Sequence, residues 1–302
     1  MQFKLLVSKY TATKQLIYSC LQESLSVYTY KQETLCIKDA KFPLYKGRDK
    51  KRILYISGIA LRLEKSQNQK ALEIANAIAS SLSEFCGDVF NIDIVSPGWI
   101  HFKLTHPTLA AWLQNLAMGC LGGREIEKSE NLPIENSGHL FAVQYAHARC
   151  CSLLQQAHRE GLIKLKDVLS DTQKNIDLQK LSLSNSVSAF WSVIFPNPIP
   201  WLDSDQKLRL HHPAEGRLIS ELVQVVDDLE CHAINSTVNW QKAALNLSQA
   251  FDNFWSECRI WGKVKITSPQ LAQARLGLVM ITQSVFRVLL EEKLGMFAPL
   301  EL

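Results

Sequence analysis

Apolar residues recur along this chain with two periods, and the change from one to the other divides it. In the first part "TLCIKDAKF" alternates apolar and polar positions, which predicts a half-buried strand over 34–42. "KALEIANAIASSLSEF" places Leu72, Ala75, Ile78, Ala79 and Leu82 at helical spacing, and "VFNIDIVSPGWIHFKL" reads as two strands joined by a turn at Ser96, Pro97 and Gly98. Gly and polar residues then gather in "GCLGGREIEKSENLPIENSG", a composition shift that predicts a linker over 121–138. Beyond it helical periodicity dominates, with helices expected over 140–158, 214–231, 239–260 and 269–294. The expected architecture is an α+β amino-terminal domain over 1–120 and an all-α helical bundle over 139–302, with an insertion at about 165–205.

The first helix of the bundle, "FAVQYAHARCCSLLQQAH", carries the most specific pattern. Residues at 100° intervals put Val143, Ala146, Cys150, Leu153, Leu154 and Ala157 on one stripe, which must face a core. Tyr145, Arg149 and Ser152 fall on the far side. An aromatic ring and a guanidinium at i and i+4, both turned outward, can stack on and hydrogen-bond to an unpaired base. The alternative is that Tyr145 packs under a loop and Arg149 pairs with a carboxylate. In the insertion, prolines at 196, 198 and 200 break the apolar run "AFWSVIFPNPIPWL" and forbid a continuous helix. Trp191, Phe195 and Trp201 beside them need cover: they either plug a groove of the bundle or form a docking patch for a protein partner.

Charge adds a direction to this picture. Residues 1–125 hold sixteen Lys+Arg against ten Asp+Glu, whereas 126–302 hold seventeen against nineteen, so the formal charge of +4 is carried by the front of the chain. "KFPLYKGRDKKR" concentrates it, with aromatics interleaved, and nominates Lys50, Lys51 and Arg52 as phosphate contacts on a polyanion; a solvated loop is the other reading. No apolar run reaches the roughly 18 residues of a membrane span, and the start lacks a signal-peptide pattern, so no membrane association and a cytoplasmic location are expected. Eight scattered cysteines without a CxxC pair read as reduced, mostly buried side chains.

The usual signatures of chemistry are missing. None of the eight histidines falls in a HExxH or similar metal spacing, and no GxSxG, P-loop or GxGxxG occurs. His211 and His212 precede Pro213 as a loop before a helix, and the carboxylate pairs Asp227–Asp228 and Glu291–Glu292 read as solvated helix faces. No catalytic residue, cofactor or metal is expected.

The segment "QYAHARCCSLLQQA" resembles the first helix of the DALR anticodon-binding domain of arginyl-tRNA synthetases. "HPAEGRLISELVQ", "LSQAFDNFWSECRIWG", "ARLGLVMITQSVFRVLL" and "LGMFAPLEL" follow in the order of that domain, while "YISGIALRLEKSQNQKALEIANAIASSL" and "VSPGWIHFKL" resemble the synthetase's amino-terminal domain, which touches the tRNA elbow. In a synthetase the nucleotide-binding domain, with its HIGH-type and KMSK-type signatures, lies between these parts. Here only the linker does, so the resemblance implies a non-catalytic paralogue without the means to hold ATP or stabilise adenylate formation.

That resemblance assigns RNA contacts to Trp99 and His101 at the elbow, and to Tyr145, His147, Arg149, Trp255 and Arg259 at the anticodon arm. Two departures bear on specificity. His101 stands where the family has an asparagine, whose amide reads a base with donor and acceptor together, and Trp255 and Leu302 replace a tyrosine and a terminal methionine. The expected partner is tRNA, with at most a weak preference for tRNA-Arg. The alternative is a protein-interaction or assembly module that keeps the synthetase fold without binding RNA.

Overall fold

The structure, a computed structural model, describes residues 11–31, 42–47, 53–119, 140–167, 191–231 and 238–302, with the side chains of 29–31, 167, 191 and 192 left aside. The expected linker over 121–138, nearly all of the expected strand over 34–42, and Lys50, Lys51 and Arg52 lie outside these residues. Two compact units emerge, Met1–Trp112 with Val226–Ser236, and Leu113–Val225 with Thr237–Leu302.

The first unit is α+β. Its described elements are α1 (Thr13–Lys31), β1 (Leu44–Lys46), β2 (Leu54–Ser57), α2 (Ile59–Glu64), α3 (Ala71–Cys86), β3 (Phe90–Val95), β4 (Trp99–Leu104) and the start of α4 (His106–Ala117). The strands form one antiparallel sheet in the order β1-β2-β4-β3. Strand alternation sends Tyr55, Phe90, Ile100 and Phe102 to the inner face, where Phe90 and Phe102 meet edge to face at 5.9 Å and helices α2 and α3 cover them. The turn expected at Ser96, Pro97 and Gly98 joins β3 to β4, closed by the Gly98 amide donating to the Val95 carbonyl at 3.1 Å. In α3 the buried stripe runs through Ala71, Ile74, Ala75, Ile78 and Leu82, so Leu72, expected on it, is exposed instead.

The second unit holds α5 (Phe141–Arg159), β5 (Lys164–Asp167), β6 (Trp191–Phe195), α6 (Pro213–Glu230), α7 (Trp240–Glu257), α8 (Lys263–Thr267) and α9 (Pro269–Val288), the last continuing into a π-helical turn at Leu289–Lys293. Helix α9 is enclosed all round from Ala274 to Gln283, which makes it the central helix, with α5 packed along it. Phe251 of α7 joins them, edge-on to Phe286 at 6.3 Å. The predicted α5 stripe is buried at all six positions.

This unit is not purely helical: β5 and β6 pair antiparallel, with a register irregularity between Lys164 and Leu165. Strands of four and five residues are too short to announce themselves by alternation. At the middle of α9 the backbone comes up against Trp201, so that a Cβ on Gly277 would sit 2.6 Å from the indole. Only glycine fits that approach. Helix α6 begins with His212 and Glu215 acting reciprocally: the Ala214 amide donates to the His212 ring at 3.3 Å, and the His212 amide donates to Glu215 at 2.8 Å.

Glu215 and Asp227, near opposite ends of α6, are both buried. Glu215 accepts from Arg275 Nε at 2.7 Å, a buried ion pair. Asp227, whose end of α6 packs in the first unit, accepts from the Tyr55 hydroxyl and from the Lys14 amide at 2.9 Å. The reading of Asp227 as part of a solvated face is therefore wrong. Its carboxylate fills an acceptor position that α1 and β2 create, and a pattern taken from α6 alone did not reveal that.

Candidate nucleic-acid interface

The outward face of α5 repeats every fourth residue, and the structure extends it by one member on the amino-terminal side. Phe141 and Tyr145 stack at 6.5 Å with their planes 30° apart, both about half exposed. One turn on, the Arg149 guanidinium lies over the indole of Trp255 at 4.9 Å from its centroid. Trp255 in turn meets Trp261 edge to face at 6.1 Å. Helix α7 supplies Trp255 from the partly exposed edge of its buried stripe, in which Leu247, Phe251 and Phe254 are committed to the core. The result is a line of π surfaces with one guanidinium in it, chemistry suited to unpaired bases, which stack on any such face.

The layer beneath fixes this line. Arg275 Nη1 donates to the Arg259 carbonyl while its Nε donates to Glu215, so one buried side chain holds the loop that follows α7. Arg259 itself is exposed on that loop. At the other end of α5, Glu160 bonds Lys265 of α8 at 2.7 Å, a partner that holds the carboxyl below the usual carboxylate range.

His147 is corrected by its surroundings. It is fully enclosed, with Nδ1 donating to the Pro299 carbonyl at 2.8 Å and Nε2 accepting from the Gln283 amide at 2.9 Å. Burial pushes its pKa down to about 4, so the neutral ring bridges α5, α9 and the segment after it. It positions the helix that carries Tyr145 and Arg149, and has no surface to offer RNA. Burial also holds Arg287 below its ordinary value and pushes the Cys151 thiol up to about 12.

In the first unit, Trp99 and His101 sit on the outer sheet face. Register sets Tyr45, Ile56, His101 and Asp93 in one row across the four strands, with Lys103 bonded to Asp93 beside it. Tyr45 is 61% exposed, whereas Trp99 is partly covered and leans against Gly58. Phe141, Trp261, Tyr45 and Ile56 were not singled out from the sequence. Phe141 was within reach, four residues before Tyr145, but the others depend on register or on contacts between distant helices.

The three aromatic residues of the insertion do not act together. Trp201 is buried and donates its indole N–H to Gln114 at 2.9 Å, so it is a plug; Phe195 and its neighbour Ile194 are half exposed. Trp191 pairs through its backbone with Asp167. The described cysteines are all free and buried, and among the described residues no group of three or more His, Cys, Asp or Glu is placed to hold a metal ion. No described helix is long and apolar enough to cross a membrane. No known family model matches the chain, and no curated protein or solved structure matches it either.

Proposed function

We propose that this chain is a non-catalytic RNA-binding protein of the arginyl-tRNA synthetase type, which holds transfer RNA through unpaired loop bases. The observation that carries the reading is the Arg149 guanidinium lying over Trp255 beside the exposed Phe141–Tyr145 pair. A guanidinium held over an indole by cation–π attraction still offers N–H donors to base or phosphate oxygens, and the exposed rings beside it offer surface for stacking. The ordered segments resembling the synthetase support the same reading, and the outer sheet face with Trp99, His101 and Lys103 offers a second contact, for the elbow. Discrimination among tRNAs is expected to be weak, with at most a slight preference for tRNA-Arg, because His101 cannot present an amide's paired donor and acceptor.

The test is a titration of whole tRNA against a duplex of equal length at several salt concentrations. Tighter binding of tRNA, lost on replacing Trp255, supports the proposal. Equal affinity for both, indifferent to that change, sinks it. A protein-interaction module is the second reading, favoured by Ile194 and Phe195 of β6, each about half exposed. It predicts that polar residues at both positions remove a co-purifying protein and leave RNA affinity intact.

A further inference from the structure

Two thiols face each other inside the first unit. Cys20 of α1 and Cys86 of α3 stand 66 positions apart in the chain, yet the Cys86 thiol donates to the Cys20 sulfur at 2.7 Å, and both side chains are buried. A disulfide holds its sulfurs at about 2.05 Å, so a shift of less than about 1 Å would close the bond.

The contact is set by the packing of the two helices. Helix α1 runs along α3 in the opposite direction and is tied to it at successive turns. One turn after Cys20, the Ser24 hydroxyl donates to the Ile78 carbonyl at 3.1 Å. One turn further, the Tyr28 hydroxyl bonds Gln67 at 2.8 Å and Gln69 at 3.1 Å, just ahead of α3. These bonds fix the register that brings Cys20 opposite Cys86. Cys150 and Cys151, by contrast, are successive on α5 and diverge by about 100° around its axis.

The pair also differs from the other cysteines in reactivity. Burial pushes the thiols of Cys151, Cys231 and Cys258 up to about 12. Cys86 is held below its ordinary value instead, because Cys20 donates to its thiolate, and the same bond together with burial raises Cys20. Cys86 therefore ionises first, and the thiolate is the nucleophile. It is the last residue of α3, between the exposed Phe85 and the exposed Gly87 and Asp88. Fraying of a final helical turn is among the least costly openings of a fold, and here it uncovers the sulfur to a small oxidant.

We propose that Cys20 and Cys86 form a reversible disulfide that staples α1 to α3, with hydrogen peroxide as the oxidant. The Cys86 thiolate attacks one peroxide oxygen, the O–O bond breaks and hydroxide leaves, which makes Cys86 a sulfenic acid. The Cys20 sulfur then attacks Cys86 Sγ, the S–O bond breaks and a second hydroxide leaves. The two thiol protons convert both hydroxides to water, so two thiols lose two electrons and one peroxide is reduced to two waters. A dithiol reverses the bond by exchange and becomes a disulfide itself. The inference concerns the first unit alone and stands whether or not the chain binds RNA.

The experiment uses the full chain, reduced with dithiothreitol, freed of it and exposed to hydrogen peroxide. After catalase the protein is unfolded in iodoacetamide and cut with trypsin. Peptide 15–31 should appear linked to peptide 71–103, each of which holds one cysteine, and the link should vanish on returning dithiothreitol. Hydrogen exchange in those two segments of the folded protein should slow at least tenfold and up to about a thousandfold on oxidation, because the bond closes a long loop of the unfolded chain. Cys86→Ala should show neither effect, and the oxidised and reduced wild type carry the comparison without it.

Both cysteines alkylated after peroxide would overturn the proposal. So would sulfinic or sulfonic acid at Cys86 beside an alkylated Cys20, which would mean oxidation without pairing. A link from either residue to another cysteine overturns the pairing, and the expected link with unchanged exchange overturns the staple.

Discussion

Each unit buries an ionisable side chain whose charged form burial disfavours, and the two respond to acid in opposite directions. Asp227 in the first unit is pushed up to about 6 by burial, although the Lys14 amide and the Tyr55 hydroxyl pull the other way. His147 in the second is pushed down to about 4 by burial. An acid whose folded pKa is raised contributes stability below its unfolded value near 3.8 that is lost as pH rises through 6. A histidine whose folded pKa is lowered contributes stability at neutral pH that is lost as pH falls from 6.5 toward 4. The sign depends on which form bears the charge that burial disfavours, and solvation alone therefore ties the stacking face, but not the sheet, to neutral pH.

The strongest way to break the contrast avoids titration altogether. Glu215→Ala leaves Arg275 buried without its counter-charge and should cost the second unit about 3–5 kcal/mol, read from denaturant midpoints at neutral pH. A loss under 1 kcal/mol would mean the pair is not what holds the loop after α7. Next in size is the acid scan itself. Hydrogen exchange of second-unit peptides should show up to about 3 kcal/mol lost between pH 6.5 and 4, while first-unit peptides gain over the window from 6 down to 3.8. Parallel loss in both units would refute the assignment of Asp227.

Asp227→Asn sharpens the comparison, because the amide can still accept from Lys14 and can donate to the Tyr55 oxygen. At neutral pH it should change stability by less than about 1.5 kcal/mol, and it should flatten the first unit's acid response while leaving the second unit's untouched. The smallest effect concerns RNA. Trp255→Ala removes one stacking surface and should weaken binding of a tRNA with an intact anticodon loop by roughly 1–3 kcal/mol, without altering either unit's pH response.

What the sequence foretold and what it hid divide along the range of the interaction. The α5 stripe and the β3–β4 hairpin are local, set by periodicity or by residues a few places apart, and each was legible. That Tyr145 and Arg149 lie off the buried stripe of α5 was legible for the same reason. That Arg149 would choose Trp255 was not, since the two are joined only by the packing of α5 against α7. His147 shares its helix with those residues and was misassigned because motif membership does not report which side of a helix is enclosed. Asp227 was misread for the converse reason: polar residues are usually exposed, and the Tyr55 hydroxyl and the start of α1 help make its burial tolerable.

Gly277 has a bearing on how this protein can be engineered. Replacing a helical glycine by alanine is a standard route to a sturdier variant, since glycine in a helix interior costs about 1 kcal/mol relative to alanine. Here the added methyl would arrive 2.6 Å from the Trp201 indole, in a helix with no free side to yield. Gly277→Ala should therefore lower the melting temperature, and by way of the bond from Trp201 to Gln114 the disturbance would reach the end of α4. A library screened for thermal tolerance should return position 277 unchanged, while the open glycines at 161 and 295, both in left-handed backbone, accept asparagine more readily than any branched side chain.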